Sequence, residues 1–516
     1  MISPVLPGPW LRGVAANPAA PSEVLLRLLT PQGRAGWRVL CEERGLPPEV
    51  VAAVVAHPEP AVRRAFARNR HVAPAQRGRL VHDPDARVRA ALASGPRPRS
   101  ARAEPLPDGV LETLLTARTA DYDGEQLLTA GEIRQELHFS GQIPRSFWRR
   151  LPDHPNPELR AEARGLWLWL TPAQRDALLT DPDPAVREAA RAENRVLDAA
   201  AMEADLPEQD CHHRGVLLIN YAVSHAVAER CLAEQRDLRS LARNVHTPAD
   251  IITRLARDPD PDVRARVAAR ADLDPALLAE LARDPDGAVR TRARLQPLPR
   301  TWAQRDAIDR VIGCTTECVG PVDEMIVEPE NGWYEACARS EHPVLRRVAA
   351  TCARLPEELV HRLAADPDSD VRHLLACNHP LAPPAIVLDA FLARPRNRRY
   401  LRTLPRLPRT GLHHLLDHED PEVRALAAAD TALAQPPVHL LSDPEPPVRR
   451  AAAANPLLPL HLLSSLLTGS LVTDSFLADS LLADPDVAEG AAANPALPAE
   501  RLHELLDLIG LPRVAA

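Results

Sequence analysis

The chain has 516 residues, a formal net charge of −8, 45% hydrophobic residues, 26% charged residues and only 3% aromatics. The apolar fraction is too high for a disordered chain, and the negative balance gives no global attraction to nucleic acid or to an anionic membrane. Prolines number 54, roughly twice the usual share, and all 62 basic residues are arginine because the chain contains no lysine.

Further classes fall away on motif grounds. No run of 18 apolar residues is present, so no ordinary membrane span is expected. The segment Met1 to Arg12 lacks a basic region followed by an apolar one, so no signal peptide is expected. Eight cysteines are too sparse for a disulfide scaffold, which places the expected location in the cytoplasm. A phosphate-binding loop of the G-x-x-x-x-G-K-[ST] type needs a lysine, and neither H-E-x-x-H nor G-x-S-x-G occurs. No enzyme activity and no cofactor are therefore expected.

The prolines are periodic. The heptad Asp258-Pro259-Asp260-Pro261-Asp262-Val263-Arg264 returns, with small changes, at Asp181–Arg187, Asp284–Arg290 and Asp366–Arg372. With its arginine as a ruler, residues 1–95 hold Arg12, Arg38, Arg63 and Arg89, at steps of 25 to 26. Residues 96–126 interrupt the pattern with Pro96, Pro98, Pro105 and Pro107, then an extra helix predicted over Val110 to Ala117. Residues 127–294 resume it through Arg134, Arg160, Arg187, Arg214, Arg239, Arg264 and Arg290. Residues 295–340 are irregular, and residues 341–516 carry it on through Arg346, Arg372, Arg424 and Arg449, with a Ser/Thr/Gly-rich irregularity near 467–482. A fixed period of this length predicts a stacked array of one supersecondary unit.

One unit, Asp258 to Arg283, can be read residue by residue. Asp260 is the expected N-cap and Pro261 the first helical residue, where its missing N–H costs nothing. Val263 and Val267 give a short apolar face, and alanines at 265, 268 and 269 keep the helix slim. Asp274-Pro275 opens a second helix whose apolar face is Leu277, Leu278 and Leu281. Asn17, Asn69, Asn220, Asn244, Asn378, Asn455 and Asn494 follow the first helix and read as stop signals, since Asn tolerates the left-handed conformation. The ruler arginine lies in reach of the preceding Asp-Pro-Asp carboxylates, which predicts a ladder of ion pairs.

Segments such as Asp443-Pro444-Glu445-Pro446-Pro447-Val448-Arg449, Ala492-Ala493-Asn494-Pro495 and Val14-Ala15-Ala16-Asn17-Pro18 resemble leucine-rich repeat variant (LRV) repeats. HEAT-like repeats share the Asp-Pro-Asp start but are usually longer. The resemblance implies an all-α, right-handed α-solenoid of two-helix (α/3₁₀) units of about 25–27 residues. It also raises an iron–sulfur cluster on an N-terminal cysteine-rich segment, but Cys41 is the only cysteine in the first 200 residues, so that feature does not carry over.

The expected function is a non-catalytic scaffold for protein–protein interaction. Cys314, Cys318 and Cys337 form the best metal suggestion, with a three-residue spacer but no second pair, which leaves open a metal- or cofactor-dependent role for 295–340. Cys211-His212-His213 with Cys231 is a weaker set. Trp167, Trp169, Trp333 and Tyr334 are candidate partner anchors against the ordinary alternative of core packing. A nucleic-acid-binding HEAT-like array is the second alternative, and no periodic basic-aromatic stripe is evident for it.

Overall fold

A computed structural model describes residues 7–96, 104–117, 130–295, 301–313, 331–468 and 484–513. The described residues form helices and no strand, an all-α arrangement. They divide into two units, Met1–Ile143 with Phe391–Ala516, and Pro144–Ala390.

In the Pro144–Ala390 unit, the local chemistry of the heptad sets the helices. Asp260 caps the helix Pro261–Ala268 by accepting from the Asp262 N–H, with Pro261 in the first turn. Asp274 caps Pro275–Leu281 in the same way. Val263, Val267, Leu277 and Leu281 are buried, as the apolar faces require, and Leu278 is partly buried. Pro261–Ala268 packs between Leu238–Arg243 on one side and Gly287–Arg294 on the other. Helices of like position therefore contact one another along the chain, with the second helix of each pair set beside them.

The Met1–Ile143 and Phe391–Ala516 unit has the same construction. Pro7–Ala16, Trp37–Glu42, Pro60–Ala67, Ala86–Ser94 and Ala130–His138 pack in succession, as do Pro421–Ala428, Pro446–Ala453 and Pro485–Ala492. Pro485–Ala492 also packs on Pro7–Ala16, which joins the two lines into one. The short extra helix is present as Asp108–Leu115, two residues ahead of its expected position. The second helix of a pair is 3₁₀ at Val438–Ser442 but α-helical at Ala249–Leu255, Pro275–Leu281 and Glu357–Ala364.

The asparagines do more than stop helices. Asn244 donates its Nδ2 to the Leu218 and Tyr221 carbonyls at 2.9 and 2.7 Å, and accepts from the His246 N–H. Asn69 holds Cys41 O and Arg44 O, and Asn455 holds Ala428 O and Asp430 O. These asparagines are fully buried staples between successive helix pairs. The left-handed expectation is corrected as well: Asn244 is extended, at φ −69° and ψ 125°, and the positive-φ non-glycine residues among those described are Gln235 and Asp237. Asn220 and Asn378 depart from the pattern, since each bonds within its own helix.

The arginine ladder is present, but its carboxylates are not the expected ones. Arg264 sends one nitrogen back to the Asp258 and Pro259 carbonyl oxygens, and grips the Asp284 carboxylate ahead of it at 2.7 and 3.0 Å. Arg63 with Asp83, Arg160 with Asp181, Arg346 with Asp366 and Arg424 with Asp443 repeat this arrangement. The preceding carboxylates are occupied by backbone N–H groups two residues on, as Asp258 is by Asp260. The following carboxylate accepts the same kind of bond, Asp284 from the Asp286 N–H, and takes the arginine as well. Two-pronged Arg–carboxylate geometry adds directional strength to each joint.

Candidate functional site

A position two residues past the ladder arginine lies about 200° around a helix, on the opposite side from the ladder. Arg266 and Arg292 occupy that position after Arg264 and Arg290. Arg243 ends the helix Leu238–Arg243. These three side chains converge on a cavity of about 430 Å³. Its remaining wall comes from the helix Trp302–Gly313, which supplies Arg305, Asp309 and Arg310. Among the described residues, five guanidinium groups and one carboxylate thus line one concavity inside the Pro144–Ala390 unit.

Arg305 is the best-fixed member. It is only 9% exposed and donates to the Arg243 carbonyl at 3.2 Å, with the Asp309 carboxylate 3.9 Å from its Nε. Burial, and then the charges of Arg243, Arg239 and Arg292 against a partial offset from Asp262, push the Arg266 guanidinium below its ordinary range. Guanidinium remains charged at neutral pH even so. Protonation of His246, in the loop after Asn244, is disfavoured by burial first and then by Arg175 and Arg270.

Arg270 shows how the chain mixes the two roles. It occupies the place of the stapling asparagine, is almost wholly buried, and sends Nη1 to the Ala242 and Asn244 carbonyls. Asp272 pairs with its other edge at 2.6 Å. Gln142 does the same stapling for Leu92 and Ala93 in the other unit, while its oxygen accepts from Arg77.

A larger groove of about 700 Å³ on the ladder side gives a useful contrast. Its charges are matched, Arg264 with Asp284 and Arg257 with Glu280. That groove is a joint between helix pairs.

The sequence-derived candidates lie elsewhere. Cys314 and Cys318 fall outside the described residues. Cys337 is fully buried, and burial pushes its thiol up to about 12. Trp333 and Tyr334 are both buried and pack edge to face, 5.3 Å between ring centroids. Trp167 is buried, and the side chain of Trp169 lies outside the described residues. Cys211 is exposed and Cys231 buried. One set with metal-compatible spacing, His225, Glu229 and Asp250, is on the surface, where Asp250 pairs with His225 at 2.8 Å and Glu229 with Arg254.

Sequence reading missed the cavity residues Arg243, Arg266 and Arg292, although their near-regular spacing is a basic stripe without the aromatic half. Arg305, Asp309 and Arg310 come from the segment where the period fails, the signal that marked 295–340 as functional ground. No protein-family model matches the chain, and no curated protein matches it. Among the described residues no helix is long and apolar enough to cross a membrane.

Proposed function

We propose that the chain is an LRV-like α-solenoid of about 25–27-residue units that works as a non-catalytic scaffold for a protein partner. One observation carries this reading. The same staple, an amide donating to two carbonyls of a neighbouring helix pair, recurs at Asn17, Asn69, Asn244, Asn455 and Asn494. Structure propagated by such nearest-neighbour joints leaves a long surface whose residues are free to vary for recognition.

The test is capture by photo-crosslinking from exposed positions, followed by reconstitution with purified components. Leu381 and Phe139, large apolar residues that are 45% and 65% exposed, are suitable attachment points. A purified partner binding saturably to the full chain, and not to a chain blocked at those positions, is the expected result. Stoichiometric zinc or iron that disappears when Cys314 and Cys318 are replaced would instead move the assignment to a metal protein with its site in 295–340.

A further inference from the structure

We propose that His225, Glu229 and Asp250 form a binding site for a divalent cation of the zinc class, which clamps two successive helix pairs of the Pro144–Ala390 unit. The inference stands apart from the scaffold reading and from the cysteines of 295–340, because it needs only these three side chains.

The helices bring the three together. His225 and Glu229 are four residues apart on His225–Glu234, so both lie on one face of it. Asp250 comes from Ala249–Leu255, the second helix of the next pair. One ligand atom from each residue, an imidazole nitrogen and two carboxylate oxygens, lies within 4.8 Å of the other two. A tetrahedral cation at about 2.0–2.2 Å from each ligand holds such atoms roughly 3–3.5 Å apart. The side chains of His225 and Asp250 are 57% and 60% exposed, and that of Glu229 41%, so each can turn inward without disturbing the core. Water then fills the open position.

The donor set selects the ion. Imidazole with two carboxylates suits zinc and its transition-metal neighbours, whereas calcium and magnesium take oxygen ligands. His225 Nε2 lies 2.8 Å from the Asp250 carboxylate, and that bond is the first cause holding Asp250 below the usual carboxylate range. On binding, the imidazole keeps its proton on Nδ1, and the cation takes the place between Nε2 and Asp250. At Glu229 it displaces the guanidinium of Arg254, an exposed partner of the kind that contributes little. The next joint, between Ala249–Leu255 and Pro275–Leu281, is tied at its surface by the plain ion pair of Arg257 with Glu280. An imidazole set beside two carboxylates is what distinguishes the joint at His225.

Calorimetric titration of the chelator-treated full chain with zinc chloride tests the proposal. The chain has 19 histidines and eight cysteines, so the site is read from differences between variants. His225→Gln and Asp250→Asn should each weaken one zinc site by at least about tenfold, since losing a group that merely supports a ligand already costs that much. Both side chains are exposed, so melts without metal should be unchanged, which checks the fold. Zinc should raise the melting temperature of the unaltered chain more than that of either variant. Asp250→His exchanges one zinc ligand for another and should preserve the site, as should replacement of Cys314 and Cys318 by serine. Four results would overturn the proposal: no zinc binding by the unaltered chain, no weakening by His225→Gln, calcium binding as tightly as zinc, or equal loss in Asp250→His and Asp250→Asn, which marks an ion pair rather than ligation. Loss of all zinc with the cysteines would also overturn it, in favour of a site in 295–340.

Discussion

Asn17 donates its side-chain amide to the carbonyl oxygen of Asn494 at 2.8 Å, 477 residues away, and to that of Ala492 at 3.1 Å. Asn494 in turn holds the Asn455 and Ala453 carbonyls at 2.7 and 3.0 Å. Helix Pro7–Ala16 therefore sits on Pro485–Ala492 as that helix sits on Pro446–Ala453. Arg12 with Glu489, and buried Arg27 with Asp507 and the carbonyls of His503, Leu511 and Pro512, complete the junction.

Asn17→Ala should destabilise the Met1–Ile143 and Phe391–Ala516 unit by roughly 1–3 kcal/mol, because two buried carbonyls lose their donor. Asn455→Ala should cost about the same. Urea denaturation measures both. A negligible effect for Asn17→Ala beside a large one for Asn455→Ala would show that the long-range junction is not equivalent to its neighbours.

Gly13 and Gly490 mark close helix approach in the same unit. A Cβ on Gly13 would lie 2.6 Å from the Ala492 Cβ and nearer still to the Glu489 carbonyl; one on Gly490 would lie 2.8 Å from the Ala453 Cβ and nearer to the Arg450 carbonyl. Both Gly→Ala changes should lower the melting temperature, since backbone must move. Gly215, inside helix His212–Asn220 with nothing close to its missing Cβ, should respond oppositely and gain about 0.5–1 kcal/mol from reduced chain entropy. A melting temperature that rises for all three would contradict the tight contacts.

Asp284→Asn should cost about 3 kcal/mol, the lower end for breaking a buried ion pair, because Arg264 is left without its charged partner. Glu280→Gln removes an exposed pair with Arg257 and should change stability by less than about 1 kcal/mol. Equal effects in a chemical melt would mean that the ladder pairs act as ordinary surface bridges.

Acid should loosen these joints in a defined window. The bond from Arg160 holds Asp181 below the usual carboxylate range and that from Arg264 does the same for Asp284, both against the opposing effect of burial. Asp507 is held at about 2, first by Arg513 and then, against burial, by Arg27. The unfolded chain takes up these protons near pH 4, before the folded chain does. Stability should thus be full above about pH 5 and fall as pH drops from about 4 toward 2. A urea midpoint that stays flat across that interval would remove the carboxylates from the account.

The local chemistry was legible in the sequence. Asp260 and Asp274 as caps, Pro261 and Pro275 in first turns, and Val263, Val267, Leu277 and Leu281 in the core all depend on neighbours within a few residues. The role of Asn244 was not, because its acceptors lie 23 and 26 residues back and identity alone does not distinguish a staple from a stop. Arg270 and Gln142 were missed as staples because they are not asparagine, though the register counted from Arg264 places Arg270 at the right position. The cavity was hidden for a different reason. In a chain whose basic residues are all arginine, residue type carries no information about which guanidinium faces inward, and only the helix packing around Arg266 supplies it.

The contact of Pro7–Ala16 with Pro485–Ala492 has a consequence for assembly. Its two faces differ, so the interface is head-to-tail, and one molecule carries both halves. While they meet internally, neither is available to another copy. Strain or substitution that parts them exposes complementary ends on a single chain, and head-to-tail ends of that kind support swapped dimers or open-ended polymers. The hydrogen bonds around Asn17 and Arg27 therefore keep these two ends paired within one molecule.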